Sequence, residues 1–321
     1  MNKFLFVPIL ATHVASTQAA LPVTESFGSG ANAFTMDFVT IGNPNNVADT
    51  TGSPSPVGSV AYTYNLGKFE VSRDMFTKAN SAGSLGITMS SLTSYGGNGV
   101  NKPATGVTWI DAAKYVNWLN TSKGWAPAYK FVGGTLQLWS VGDAGYNANN
   151  LFRNSLANYF IASRDEWYKG AYGSPDGTWY NYPTGSNSSL SAVSGGTAAN
   201  TAVYGGQSGP ADITNAGGLS LYGTMGQGGN AFEWNETEFD GINNSPNSGR
   251  ELRGGSWKHG DYYLLASTRN INGPTDLYDD IGFRVVSLAN VPPVPEPSTY
   301  GLILGGLALA GAAIRRRRAK Q

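Results

Sequence analysis

Gly301 to Ile314 is a run of fourteen apolar residues closed by Arg315, Arg316, Arg317 and Arg318. A segment this apolar cannot form part of a solvent-exposed tail, yet it falls short of the ~20 residues that cross a bilayer comfortably. Consecutive arginines stay on the cytoplasmic side of a membrane. The physical reading is a short stop-transfer anchor at 300–321, reached through a Pro-rich linker at 291–299, with everything before it outside. The other end agrees. Lys3, the apolar run Phe4 to Leu10 and the small-residue exit Thr17-Gln18-Ala19-Ala20 have the order of a secretory signal over 1–20. The alternative for that stretch is a buried N-terminal strand. What remains to fold is 21–290, about 270 residues, enough for a sizeable core without help from disulfides.

Composition narrows the class of that body. Hydrophobic residues make up 40% and aromatic residues 12%, which suits a packed interior. Charged residues are only 13%, against the usual quarter or so, and 43 glycines with many Asn, Ser and Thr take their place. Turns and long polar loops are expected rather than helical bundles. There is no cysteine, which removes thiol chemistry but leaves the redox compartment open. Six of the 21 basic residues lie in the two end segments, so the body is mildly acidic and nucleic acid is not expected as a partner.

Local patterns place the elements. Ala33 to Asn43 and Val60 to Val71 alternate as strands, with a Pro/Gly/Ser turn at Thr51 to Gly58 between them. Ser72 reads as the N-cap of a helix carrying Met75, Phe76 and Ala79. Thr108 with Asp111, and Ser163 with Glu166, read as capping boxes for two more helices. The first of these buries Ala112, Tyr115, Val116 and Leu119, and the second buries Trp167 and Ala171. Phe283 to Leu288 is a closing strand. No fixed-period repeat or internal linker appears, so the body is expected to be one α+β domain.

Six segments in order carry a family resemblance. They are Gly67-Lys68-Phe69-Glu70-Val71-Ser72, Pro103 to Trp109 running into Asn117-Trp118-Leu119, Ser163-Arg164-Asp165-Glu166-Trp167, Gly228-Gly229-Asn230-Ala231-Phe232-Glu233-Trp234, Leu252-Arg253-Gly254-Gly255-Ser256-Trp257 and Ile281-Gly282-Phe283-Arg284-Val285. Together they resemble the formylglycine-generating enzyme (sulfatase-modifying factor) domain family from about Phe34 to Val286. The resemblance implies a C-type-lectin-like α+β fold with little regular structure. The tail, with Pro295-Glu296-Pro297 before the apolar run and arginines, resembles the PEP-CTERM sorting signal. That implies a Gram-negative-type envelope, an exosortase-type protease as partner, and association with exopolysaccharide.

The chemistry the resemblance implies meets missing residues. Active family members hold copper with a cysteine pair shortly after the Gly-Gly-Ser-Trp motif. Here that stretch reads Lys258-His259-Gly260-Asp261-Tyr262-Tyr263, and a soft copper site needs thiolates. The iron-binding branch needs several histidines, whereas His259 is the only one left once His13 leaves with the signal. Neither copper nor iron is expected. His259 beside Asp261 is read as a loop hydrogen-bond pair rather than a catalytic base. Glu233, Glu236 and Glu238 offer carboxylates for glycoside cleavage in principle; strand alternation accounts for them equally well.

Calcium is the candidate cofactor. The resemblance implies ligands at Gly229, Ala231 and Glu233, although Gly226 stands where the family has an Asn side chain, and a second site at Asn200 with Asp212. The other reading is that Asn230 and Glu233 cap a turn. Trp109, Trp118, Trp167, Trp234 and Trp257 lie inside the motifs and are expected in the core. Trp125, Trp139 and Trp179 lie in loops and are candidate ligand-binding residues, with His259 and Asp261. Arg253, Arg269 and Arg284 are expected to brace the fold. The functional expectation is a non-catalytic surface or matrix binding protein. Its alternatives are an enzyme with rebuilt chemistry in the same pocket, around Glu233, Asp261 or Tyr262, and a structural surface-layer protein.

Overall fold

The computed structural model describes residues 23–288. The expected secretory signal, the Pro-rich linker and the sorting tail with its apolar run lie outside the described residues. Among the described residues, no helix is long and apolar enough to cross a membrane.

The body is built on two sheets. In the first, β1 (Val23–Phe27), β2 (Phe34–Ile41), β3 (Tyr64–Gly67), β13 (Val285–Leu288) and β6 (Tyr159–Ile161) lie side by side, every pair antiparallel. The last strand of the body thus sits in the middle of its first sheet, with Val286 opposite Leu66 on one side and Phe160 on the other. The second sheet has the order β11 (Asn270–Asn272), β10 (Arg250–Arg253), β9 (Phe232–Glu238), β12 (Ile281–Gly282), with β12 parallel to β9. Two small pairs, β4 (Lys130–Val132) with β5 (Thr135–Gln137) and β7 (Ser191–Ala192) with β8 (Thr201–Ala202), pin loops.

Three helices start where their caps predict. α1 (Arg73–Gly83) begins after Ser72, whose hydroxyl accepts from Met75 N–H. α2 (Trp109–Ser122) and α3 (Arg164–Tyr172) both open with complete capping boxes, Thr108/Asp111 and Ser163/Glu166. Each box satisfies two otherwise orphaned amides. The stripe Ala112, Tyr115, Val116 and Leu119 is fully buried. Tyr115 stacks on Phe76 of α1 at 5.3 Å, and both rings meet Phe283 edge-on, fastening α1 and α2 to the segment before β13.

Two strands are shorter than the alternation suggests. Val60 to Val71 pairs only at Tyr64–Gly67, because Val60 is captured outside the sheet: its N–H donates to Asn46 Oδ1 and its carbonyl accepts from Asn45 N–H. The closing strand begins at Val285 rather than Phe283, whose carbonyl accepts from Val71 N–H instead of joining the ladder.

Candidate functional site

All seven residues of β9 are buried, although the strand reads Phe-Glu-Trp-Asn-Glu-Thr-Glu. β10 and β12 pair with its two edges, and other elements, α3 and β6 among them, cover its faces, so each carboxylate must find a partner inside the protein. Glu233 receives Nη2 of Arg284 at 2.6 Å on one oxygen, and Nε of Arg284 and Nε1 of Trp167 at 2.6 Å each on the other. Glu236 accepts Nε of Arg153 at 3.0–3.1 Å on both oxygens, Nδ2 of Asn150 at 2.6 Å and the Tyr129 hydroxyl at 2.8 Å. Arg153 also reaches both oxygens of Glu166 at 2.8 Å, and Tyr62 donates to the same carboxylate. Glu238 accepts Ser245 N–H at 2.7 Å, with Arg250 3.8 Å away.

The electrostatics follow from this pairing. Burial pushes Glu166 upward, but Arg153 and its hydrogen bonds outweigh that and hold the carboxyl at about 2. Glu70, buried without a cation of its own, goes the other way. Desolvation and the nearby Glu233 raise it well above the carboxylate range despite Arg284.

Past β10 the chain turns through Gly254, with φ of +93° and room for no Cβ, which would lie 2.7 Å from the Gln227 carbonyl. There Ser256 Oγ donates to Asp280 Oδ2 at 2.7 Å and lies 2.7 Å from His259 Nδ1. A hydroxyl that gives its proton to Asp280 accepts from His259, so Nδ1 carries a hydrogen. Ser256 is fully buried while His259 is about one-third exposed at its side chain. The buried hydroxyl has no proton free for His259 to take and no access to a substrate. His259 is therefore not paired with Asp261, as its neighbourhood in sequence suggests. Asp261 accepts Ser189 Oγ at 3.2 Å on another loop. Around this turn, Lys258 pairs with Asp279 and lies 4.3 Å over the Tyr95 ring, and Tyr262 projects to solvent.

The sequence matches the profile of the sulfatase-modifying factor enzyme 1-like domain over residues 31–289. The chain belongs to that family. Residues 293–318 match the PEP-CTERM protein-sorting motif, which marks the family member for export and exosortase-type processing. Solved structures with the same fold include Treponema denticola variable protein 1 (19% identity, 84% of this chain and all of that one, TM-score 0.57), CarF (18%, 79% and 98%, 0.57) and PvdO from Pseudomonas aeruginosa (17%, 84% and 100%, 0.52). The α+β, C-type-lectin-like fold is thereby established. No significant match is found among curated proteins.

Within this sulfatase-modifying factor domain, the calcium ligands implied by the family do not fit the arrangement of side chains. Both oxygens of Glu233 are taken by Arg284 and Trp167, which places a guanidinium where a cation would have to sit. Gly226 offers no side-chain oxygen. Asn230 does not cap a local turn: it bridges Glu70 Oε2 and Ala211 N–H. Asn200 and Asp212 are both exposed, and Asn200 accepts Thr184 Oγ1. Among the described residues no three His, Asp or Glu side chains converge as metal ligands.

The arginines brace the fold as expected: Arg253 binds Glu251 and the Thr268 carbonyl, and Arg269 binds Glu251 and the Phe239 carbonyl. The tryptophans divide differently from the expectation. Trp125 is half exposed, but Trp139 and Trp179 are half-buried and donate their indole N–H to the carbonyls of Ala128 and Val47. Of the motif tryptophans, Trp109, Trp167, Trp234 and Trp257 are fully buried, whereas Trp118 is not.

Proposed function

We propose that this domain is a non-catalytic binding protein of the cell surface or extracellular matrix, with exopolysaccharide as its partner. The observation that carries the reading is the enclosure of its carboxylates: Glu233, Glu236 and Glu238 are fully buried, the first two with both oxygens held by arginine and Glu238 with one oxygen on Ser245 N–H and the other sealed from solvent, so none reaches a substrate as a general acid, base or nucleophile. The Ser256–His259–Asp280 cluster is closed in the same way. What the region offers to solvent is contact surface, with Tyr262, Lys258 and the half-exposed Tyr278 around it. The sorting motif supports a role outside the cytoplasm.

The test is a glycan array together with a pull-down from native matrix, run beside oxidase and glycosidase panels. Glycan retention without turnover is expected. Turnover abolished by Glu233→Gln or His259→Ala at unchanged folding would defeat the reading and favour rebuilt catalysis.

A further inference from the structure

Trp118 is the exception among the motif tryptophans, and its surroundings explain why. On α2 the positions Lys114, Asn117, Trp118 and Thr121 fall at i, i+3, i+4 and i+7, a second stripe on the helix beside the buried one. This stripe lines a trough of about 310 Å³, with Gly83 and Leu85 at the end of α1 on one side and Phe131 and Gly134 of the β4–β5 hairpin on the other. That volume is at the lower end of small-ligand sites, about 300–1,000 Å³.

The trough is built and held. Asn117 donates from Nδ2 to the Tyr129 carbonyl at 2.7 Å and accepts Tyr129 N–H at 2.8 Å, which clamps the start of the hairpin to α2. Trp118 stacks on Phe34 at 5.9 Å, fixing its ring plane. A Cβ on Gly83 would fall 2.5 Å from Trp118 Cδ1, so glycine there is what lets the indole lie in the trough.

Its chemistry is specific. Trp118 and Phe131 supply aromatic surface, and among the described residues the indole N–H of Trp118 has no partner. Lys114 is the only charged side chain lining the trough, and it makes no ion pair among the described residues. Aromatic rings take the C–H face of a sugar, and the unspent indole N–H donates to a ring or hydroxyl oxygen. Thr121 Oγ1, whose own proton goes to the Asn117 carbonyl, accepts from a sugar hydroxyl, and an unpaired ammonium in a site without carboxylates selects an anion.

We propose that this trough binds a uronic-acid-bearing sugar chain, with one ring on Trp118 and Phe131 and its carboxylate on Lys114. The assignment rests on the glycan-binding function proposed above and adds its location and charge class. It is tested by titrating the detergent-solubilised full chain with oligogalacturonate of defined length, against a neutral malto-oligosaccharide and an apolar peptide, following tryptophan fluorescence and calorimetry. Binding of oligogalacturonate that weakens with salt is expected. Lys114→Gln should weaken it by about two- to fivefold, and Trp118→Phe, which keeps a ring on Phe34 but lacks the N–H, by about fivefold. Lys78→Gln on α1 should bind as the parent does. Thermal melts establish that each variant is folded.

The assignment is overturned if both trough variants bind as the parent does, if the neutral sugar binds as tightly as the acidic one, or if the peptide is preferred. Loss of all glycan retention by the parent would remove the proposed function itself. Retention indifferent to Lys114 and Trp118 would remove only the trough.

Discussion

Arg153 holds two buried carboxylates at once, Glu166 and Glu236, so replacing it by Met leaves both without a countercharge. Breaking one buried pair from one side costs about 3–5 kcal/mol. The second orphan adds less than the full amount, because Tyr129 and Asn150 still donate to Glu236 and Tyr62 to Glu166. A loss of about 6 kcal/mol at pH 7, the first pair plus the smaller second one, corresponds to a fall in Tm of about 15 °C at this size. The pH dependence gives a sharper test because its sign reverses. In the parent, Glu166 is held at about 2, below its unfolded value near 4.5. Its contribution of about 3 kcal/mol is therefore present above pH 4.5 and lost as pH falls toward 2. Without Arg153, burial dominates and lifts the Glu166 carboxyl above its unfolded value. The variant should then gain more stability than the parent as pH falls from 7 toward 4.5, because the parent's gain comes only from carboxyls that burial already raises, such as Glu70. Urea unfolding followed by near-ultraviolet dichroism at pH 7, 5.5 and 4.5 measures both. A variant within about 1 kcal/mol of the parent at pH 7, or one whose stability follows the parent's in parallel between pH 7 and 4.5, refutes the account of this network.

Two further outcomes follow from buried groups outside that network. Lys169 is buried with the Asn43 carbonyl as its acceptor, and burial pulls its ammonium down to about 8. The folded state is thus penalised while the amine is charged, and stability rises as pH climbs from 8 toward the ordinary ~10.4. Lys169→Met should stabilise the protein at pH 7 by about 1–2 kcal/mol, the relieved desolvation less one lost hydrogen bond, and flatten the rise between pH 8 and 10; a variant less stable than the parent at pH 7 would contradict this. Gly226 has φ of +79°, and a Cβ there would lie 2.9 Å from Glu70 Oε2, so Gly226→Ala should lower the urea midpoint by the equivalent of about 1–3 kcal/mol with an unchanged slope.

The parts of this fold that could be read from the sequence are those specified locally. Ser72, Thr108 and Ser163 each bond an amide three residues on, so the pattern that signals the helix start is the interaction itself. The pairing of the carboxylates could not be read this way. Arg284 lies 51 residues from Glu233, Arg153 lies 83 from Glu236 and Arg164 lies 87 from Glu251. Nothing in Phe-Glu-Trp-Asn-Glu-Thr-Glu distinguishes a strand with one wet face from one enclosed on both. His259 misled for the same reason: Asp261 is near in sequence, but β12 and the segment before it bring Asp280 to Ser256 instead. Trp118 shares a motif with buried residues, and its exposure is decided by where α1 ends and by the hairpin that faces it. A signal did exist in the second stripe on α2, where Lys114 and Thr121 bracket the indole.

The pairs that join distant segments have one more consequence in a chain without cysteine. Each acts as a clasp between stretches of backbone that would otherwise be tied only by packing, and none of them contains sulfur. A protein delivered beyond the cytoplasm meets oxidants, reductants and foreign thiols that scramble or open covalent bridges. These clasps offer nothing for thiol–disulfide exchange to open, so they hold whatever thiols and disulfides surround the protein.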